Sequence, residues 1–291
     1  MNKYLKKALC VPVVSLTAGI LSLSLVSGAN AAAIVSGFDG NILAPNDDGS
    51  TELVDIGFNA NFFGLTSSQL YVNNNGNVTF DDDLSTFTPF DLTSTGRQII
   101  APFFADVDTR NAGDPVTYGT GLYDGRDAFG VNWVNVDYFF SSTAHSNRNS
   151  FQLILVDRSD VSAGDFDFIF NYDQIQWETG TASSGDSDGL GGNSARVGFS
   201  NGTGDAGTFF ELAGSAVNGA FLDAGANALI SNRRNSDIDG RYVFSARGGD
   251  VEDPDVEDPD VDQPVGVPEP GSLALLGIGL AGLSLVRRRR S

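Results

Sequence analysis

The sequence predicts an all-β fold: one antiparallel β-sandwich or jelly-roll-like domain, set between a cleavable N-terminal signal helix and a short C-terminal hydrophobic helix. Three observations carry this expectation. Short apolar or alternating runs recur through residues 34–249, each bounded by Gly, Asn, Asp, Ser or Thr, the pattern of strands separated by turns. Glycine is abundant (35 residues), and 21 phenylalanines far outnumber two tryptophans and one methionine, a turn-rich β composition. No long stretch repeats with period 3.6, apart from a weak helical pattern near residues 216–222.

Taken in order, residues 1–33 read as a secretory signal. Lys3, Lys6 and Lys7 form a basic start, residues 8–26 are apolar and small, and Ala29 and Ala31 offer the −3 and −1 positions of a cleavage site. Residues 34–249 form the folding domain. Its strand candidates lie at 69–72, 77–80, 98–104, 116–123, 128–140, 150–157, 166–172, 195–200, 208–212 and 242–246. Between the first two, Asn75-Gly76 predicts a tight hairpin with two positive-φ residues.

Residues 250–266 repeat Val-Glu-Asp-Pro-Asp. Prolines bar regular pairing, like charges repel, and few apolar groups are present, so an extended linker is expected. Residues 267–291 carry Pro268-Glu269-Pro270, an apolar run over 273–286, and Arg287, Arg288, Arg289 and Arg290. The run is shorter than the roughly 20 residues of a comfortable spanning helix. The arginines favour the cytoplasmic side, which places the region between the two ends outside the inner membrane.

The charge has the same polarity of design. All three lysines lie in the first seven residues and four arginines lie at 287–290. The rest holds 37 acids against ten arginines, a formal charge of −27. Such a surface repels nucleic acid and anionic lipid headgroups. The single cysteine, Cys10, falls in the signal, so a processed chain has no disulfide, no thiol nucleophile and no cysteine metal site.

Pro268-Glu269-Pro270, the apolar helix and the terminal arginines together resemble the PEP-CTERM sorting signal. That resemblance implies recognition and cutting by an exosortase in the inner membrane of a Gram-negative, exopolysaccharide-producing bacterium, after passage through the secretion machinery. The domain, over residues 70–244, resembles the nidogen-like (NIDO) extracellular domain. The likeness is carried in order by Leu70-Tyr71-Val72 with Asn75-Gly76 and Phe80, by Ile100-Ala101-Pro102-Phe103-Phe104-Ala105-Asp106-Val107-Asp108, by 129–136, 150–157, Phe168-Ile169-Phe170-Asn171-Tyr172, Ala195-Arg196-Val197-Gly198-Phe199-Ser200 and Gly240-Arg241-Tyr242-Val243-Phe244. Phe104 stands where a tryptophan is common. The resemblance implies cell-matrix adhesion or extracellular structure without catalysis, and it assigns no ligand residues.

Metal-type residues are judged on their spacing. Asp106 and Asp108 share one side of a strand or its end, and Asp114 can join them across a loop, a hard-oxygen set suited to calcium. The alternative is structural: Asp108 pairs with Arg110 or Arg196, or caps a turn. Asp81-Asp82-Asp83 and Asp186-Ser187-Asp188-Gly189 read as solvated turns or as further cation ligands. His145 reads as an exposed loop residue. Trp133 and Trp177 read as core, or as stacking platforms for sugar. There is no Gly-x-Ser-x-Gly elbow and no His-Glu-x-x-His. The expected function is a non-catalytic surface or matrix protein associated with exopolysaccharide or biofilm. Two other classes stay open: a polysaccharide hydrolase using paired carboxylates, and a calcium-dependent self-assembling surface layer.

Overall fold

Alternating apolar residues along several runs decide the architecture. A computed structural model describes residues 33–111, 113–140 and 145–252. Their strands, in chain order, are β1 (Asn41–Ile42), β2 (Val54–Phe62), β3 (Leu65–Asn73), β4 (Asn77–Thr79), β5 (Ile99–Phe104), β6 (Val107–Asp108), β7 (Thr117–Tyr123), β8 (Arg126–Tyr138), β9 (Asn149–Asp157), β10 (Phe166–Ile175), β11 (Arg196–Ser200), β12 (Phe209–Glu211), β13 (Arg241–Arg247) and β14 (Asp250–Glu252). They form two antiparallel sheets. One runs β1-β7-β8-β9-β10-β13-β14 with β6 paired to β8, and the other runs β12-β11-β5-β4-β3-β2. The fold is the all-β sandwich the sequence predicts. The expected signal helix and C-terminal hydrophobic helix fall outside the described residues.

The inner core follows the period of two. Phe151, Leu153 and Leu155 of β9, Phe166, Phe168, Phe170 and Tyr172 of β10, and Tyr242, Phe244 and Ala246 of β13 all point between the sheets. Phe168 stacks on Phe244 at 4.9 Å and meets Phe199 edge-on at 5.3 Å, so phenylalanines from both sheets interlock.

Both outer faces are covered as well. Ile154, Val156, Ile169 and Ala128 turn away from the inner core and receive Phe38. Residues 33–39 therefore lie as a strap across the large sheet. Gln152 binds the main chain of Val35 from both its amide groups, Asn132 donates to the carbonyls of Gly37 and Phe38, and Arg241 donates to that of Ala33. Gly121 and Gly130 provide the slot. A Cβ on Gly130 would stand 2.3 Å from the Phe38 ring. On the small sheet, Leu84, Phe90 and Leu92 cover Ile99, Ala101 and Phe104. Burial on both faces is why β5 and β9 read as continuous apolar runs.

Each of the ten predicted strands is present, with bounds shifted by a few residues. β2 was not foreseen, although Val54, Ile56, Phe58, Ala60 and Phe62 alternate; its glycine and its Asp and Asn residues read as turn signals. The weak helical pattern near 216–222 forms successive turns instead. β14 takes in the first three residues of the expected linker by pairing with β13.

The hairpin at Asn75-Gly76 also differs from expectation. Asn73 pairs with Asn77, leaving a three-residue loop in which Gly76 (φ +73°) is left-handed and Asn75 is not. The two-residue primed turn occurs elsewhere, at Asp124-Gly125 between β7 and β8, where both φ angles are positive.

Candidate functional site

The β3–β4 hairpin has an unusual tip: Asn73, Asn74, Asn75 and Asn77 are all fully buried. Buried amides persist only when hydrogen-bonded, and these are used to fasten other segments. The Asn74 side chain donates to the carbonyls of Asp47 and Val107, and its main-chain carbonyl accepts the indole N–H of Trp133 at 3.0 Å. Asn75 Oδ1 accepts the Val107 amide at 2.9 Å, and its Nδ2 donates to Asp48 Oδ1 at 2.9 Å. Asn46 joins Thr109 through both main-chain groups. The loop after β1 is thereby pinned against the bend between β5 and β6.

That junction gathers acids. One carboxylate oxygen each from Asp47, Asp48 and Asp106 lie within 4.8 Å of one another, the one such group of potential metal ligands among the described residues. Asp106 is 2% exposed. Its Oδ2 is buried and accepts no hydrogen bond, and Asp47 Oδ1 is in the same condition. Gly180 packs directly against the Asp106 carboxyl, since a Cβ there would stand 2.2 Å from Oδ2. Burial, aided by the neighbouring carboxylates of Asp47, Asp48 and Asp108, pushes the Asp106 carboxyl up to about 8. Burial likewise raises Asp47 to about 6, with Asp48 and Asp108 adding and Arg110 opposing.

Of the predicted calcium set, only Asp106 sits in this group. Asp108 is held bidentately by its neighbour Arg110, at 2.9 and 2.8 Å, which is the structural alternative foreseen for it. Arg110 also reaches Asp47 at 2.9 Å. Asp114 accepts from Asn135, the left-handed residue of a bulge in β8. Arg196 pairs with Glu211 rather than Asp108. Asp47 and Asp48 escaped sequence reasoning because they lie 58 residues or more before Asp106 in an unpatterned loop; the doubled Asp beside Asn46 was the only signal.

The other acidic clusters stay in turns. Asp81 pairs with Arg97 at 3.2 Å, and Asp186 caps the amides of Asp188 and Leu190. His145 is not an exposed loop residue. It stacks on Tyr138 at 3.9 Å and bonds Asp137 at 2.8 Å. Trp133 and Trp177 are fully buried, which removes them as platforms for sugar. Ala29, Ala31, Pro268, Glu269, Pro270 and Arg287 to Arg290 lie outside the described residues.

An all-β sandwich with an interlocked aromatic core and a strongly acidic composition defines the class as a β-domain of the extracellular type. The chain belongs to the family of proteins carrying a nidogen-like domain, whose model matches residues 68–248. A PEP-CTERM protein-sorting motif matches residues 266–290. The chain is similar to alpha-tectorin of Mus musculus (35% identity over 230 residues), Homo sapiens (34%) and Gallus gallus (32%). These matches cover 71% of this chain and 10% of each relative, so the chain spans about a tenth of the length of the relatives it matches. No solved structure matches it. Domain and sorting motif together mark a protein exported to the cell surface or extracellular space.

Proposed function

We propose that this chain is a non-catalytic surface or matrix protein that associates with exopolysaccharide or other matrix components, and that an exosortase processes its C-terminal tail. The observation that carries the reading is the union of a nidogen-like domain with an exosortase-type sorting motif in one chain. The placement of five buried or arginine-bound acids weighs against their use in hydrolysis. Glycoside cleavage needs two carboxylates that reach the scissile bond from either side. Here Asp106 and Glu178 are buried, and Asp108, Asp167 and Glu211 are held by arginines. The test is incubation of the exported protein with exopolysaccharide from its own host. Cosedimentation without release of reducing ends is expected. Release of soluble oligosaccharide would refute the non-catalytic reading, and failure to cosediment would refute the proposed ligand.

A further inference from the structure

We propose that Asp47, Asp48 and Asp106 bind one calcium ion, which fastens the loop after β1 to the bend between β5 and β6. The proposal is independent of the matrix-binding reading.

A group of acids alone means little on so acidic a protein. Two atoms distinguish this one. Asp106 Oδ2 belongs to a side chain only 2% exposed and accepts no donor, and Asp47 Oδ1 is buried without a donor as well. A buried carboxylate oxygen in a folded protein is hydrogen-bonded, ion-paired, metal-bound or neutralised by a proton, and a bound cation displaces that proton. The fold supplies neither of the first two to Asp106. Arg110, the cation at the cluster, is already engaged by both oxygens of Asp108 and by Asp47. Several negative charges therefore converge on one guanidinium.

The identity of the ion follows from the donors. All three are carboxylate oxygens, a hard set that suits calcium or magnesium rather than a softer transition metal. The acids come from two stretches of chain, Asp47-Asp48 and Asp106, whose carboxylate oxygens lie within 4.8 Å of one another, a setting for direct ligation by an irregular shell. Calcium accepts such a shell, whereas magnesium demands near-octahedral geometry and retains several waters. The site is also set in advance. Asn75 holds one Asp48 oxygen, and the Asn74 side chain holds the main chain at Asp47.

The experiment uses the exported protein stripped with a chelator. Calcium is titrated by calorimetry, and terbium by emission excited through tryptophan. Trp133, which donates to the Asn74 carbonyl, is the intended sensitiser. One calcium per chain is expected, with Kd of ~0.1–1 mM, the range of extracellular modules. Asp48→Asn and Asp106→Asn should each weaken it about tenfold or more. Asp114→Asn should bind like the parent, because Asp114 lies with Asn135 instead. Should Asp106→Asn fail to fold, the half-buried Asp48→Asn variant and the calcium-dependent rise in the parent's Tm carry the test. Absence of heat, sensitised emission and Tm shift up to about 10 mM calcium would overturn the site. So would full binding by Asp48→Asn or loss of binding in Asp114→Asn. Equal binding of magnesium would overturn the assignment to calcium.

Discussion

Replacing Gly76 by alanine should be among the most damaging single-methyl changes in the domain, and Gly125→Ala supplies its control. The two glycines have nearly the same backbone, φ +73° and +78°. Alanine in that left-handed region costs ~1–2 kcal/mol at either position. Their surroundings differ. At Gly125 nothing lies within 4 Å of the added Cβ. At Gly76 it would stand 1.8 Å from the carbonyl oxygen of Phe103 and 2.8 Å from its carbon. Main chain cannot swing aside as a side-chain tip can, so β5 and the hairpin tip must part. That strains the bonds from Phe103 N to Gly76 O and from Ala105 N to Asn75 O. Each of the two bonds broken costs ~1–3 kcal/mol, so with the backbone term Gly76→Ala should lose ~3–8 kcal/mol in all. Gly125→Ala should lose only the first ~1–2 kcal/mol. Urea unfolding followed by tryptophan emission reads both, since Trp133 and Trp177 are buried and become wet on unfolding. If the two variants unfold within about 1 kcal/mol of each other at equal m-values, the close approach at Gly76 does not hold.

Three further outcomes are expected. Phe168→Ala, at the crossing of rings from both sheets, should cost ~3–5 kcal/mol in the same assay; a loss under 1 kcal/mol would contradict the interlocked core. Phe38→Ala should cost about 3 kcal/mol and Gly130→Ala should also destabilise by expelling the ring, both measured as urea midpoints, if the strap seals the outer face. Glu178 is fully buried, and burial raises its pKa although the amides of Phe221 and Gly219 bind its carboxylate. The native state thus holds a proton after the unfolded state has released it, so this group's contribution falls as pH rises from the ordinary carboxylate value to the raised one. The difference between parent and Glu178→Gln midpoints, followed from pH 4 to 7, should change in that sense; a constant difference would contradict it.

Much of this structure was legible because burial on a pleated sheet writes period two into the chain. Phe166, Phe168, Phe170 and Tyr172 announce β10 and its inward face. The failures have physical causes. β2 hides because its outward positions hold Asp55, Gly57, Asn59 and Asn61, residues that also mark turns. Asn75-Gly76 suggested a two-residue turn, but register is set by the partners: Asn73 faces Asn77, and the tip buries its amides beneath a loop from before β2. The acidic group mixes both situations. Asp106 stood out in its block, yet alternation placed Asp108 beside it without revealing that Arg110 would claim that carboxylate. Nothing local ties Asp47 and Asp48 to Asp106, because the tie is a tertiary contact made through Asn74 and Asn75.

The nidogen-like domain and its C-terminal sorting motif mark an exported protein, and a signal at the N-terminus is expected to start that export. Fractionation of the native host with mass spectrometry of the mature chain's termini tests this most directly. The expected product begins at or just after residue 32, ends near Pro268, Glu269 or Pro270, and is recovered from the cell surface, matrix or medium. Full-length chain, still carrying Lys3 and Arg290 and dissolved in the cytosol, would contradict it.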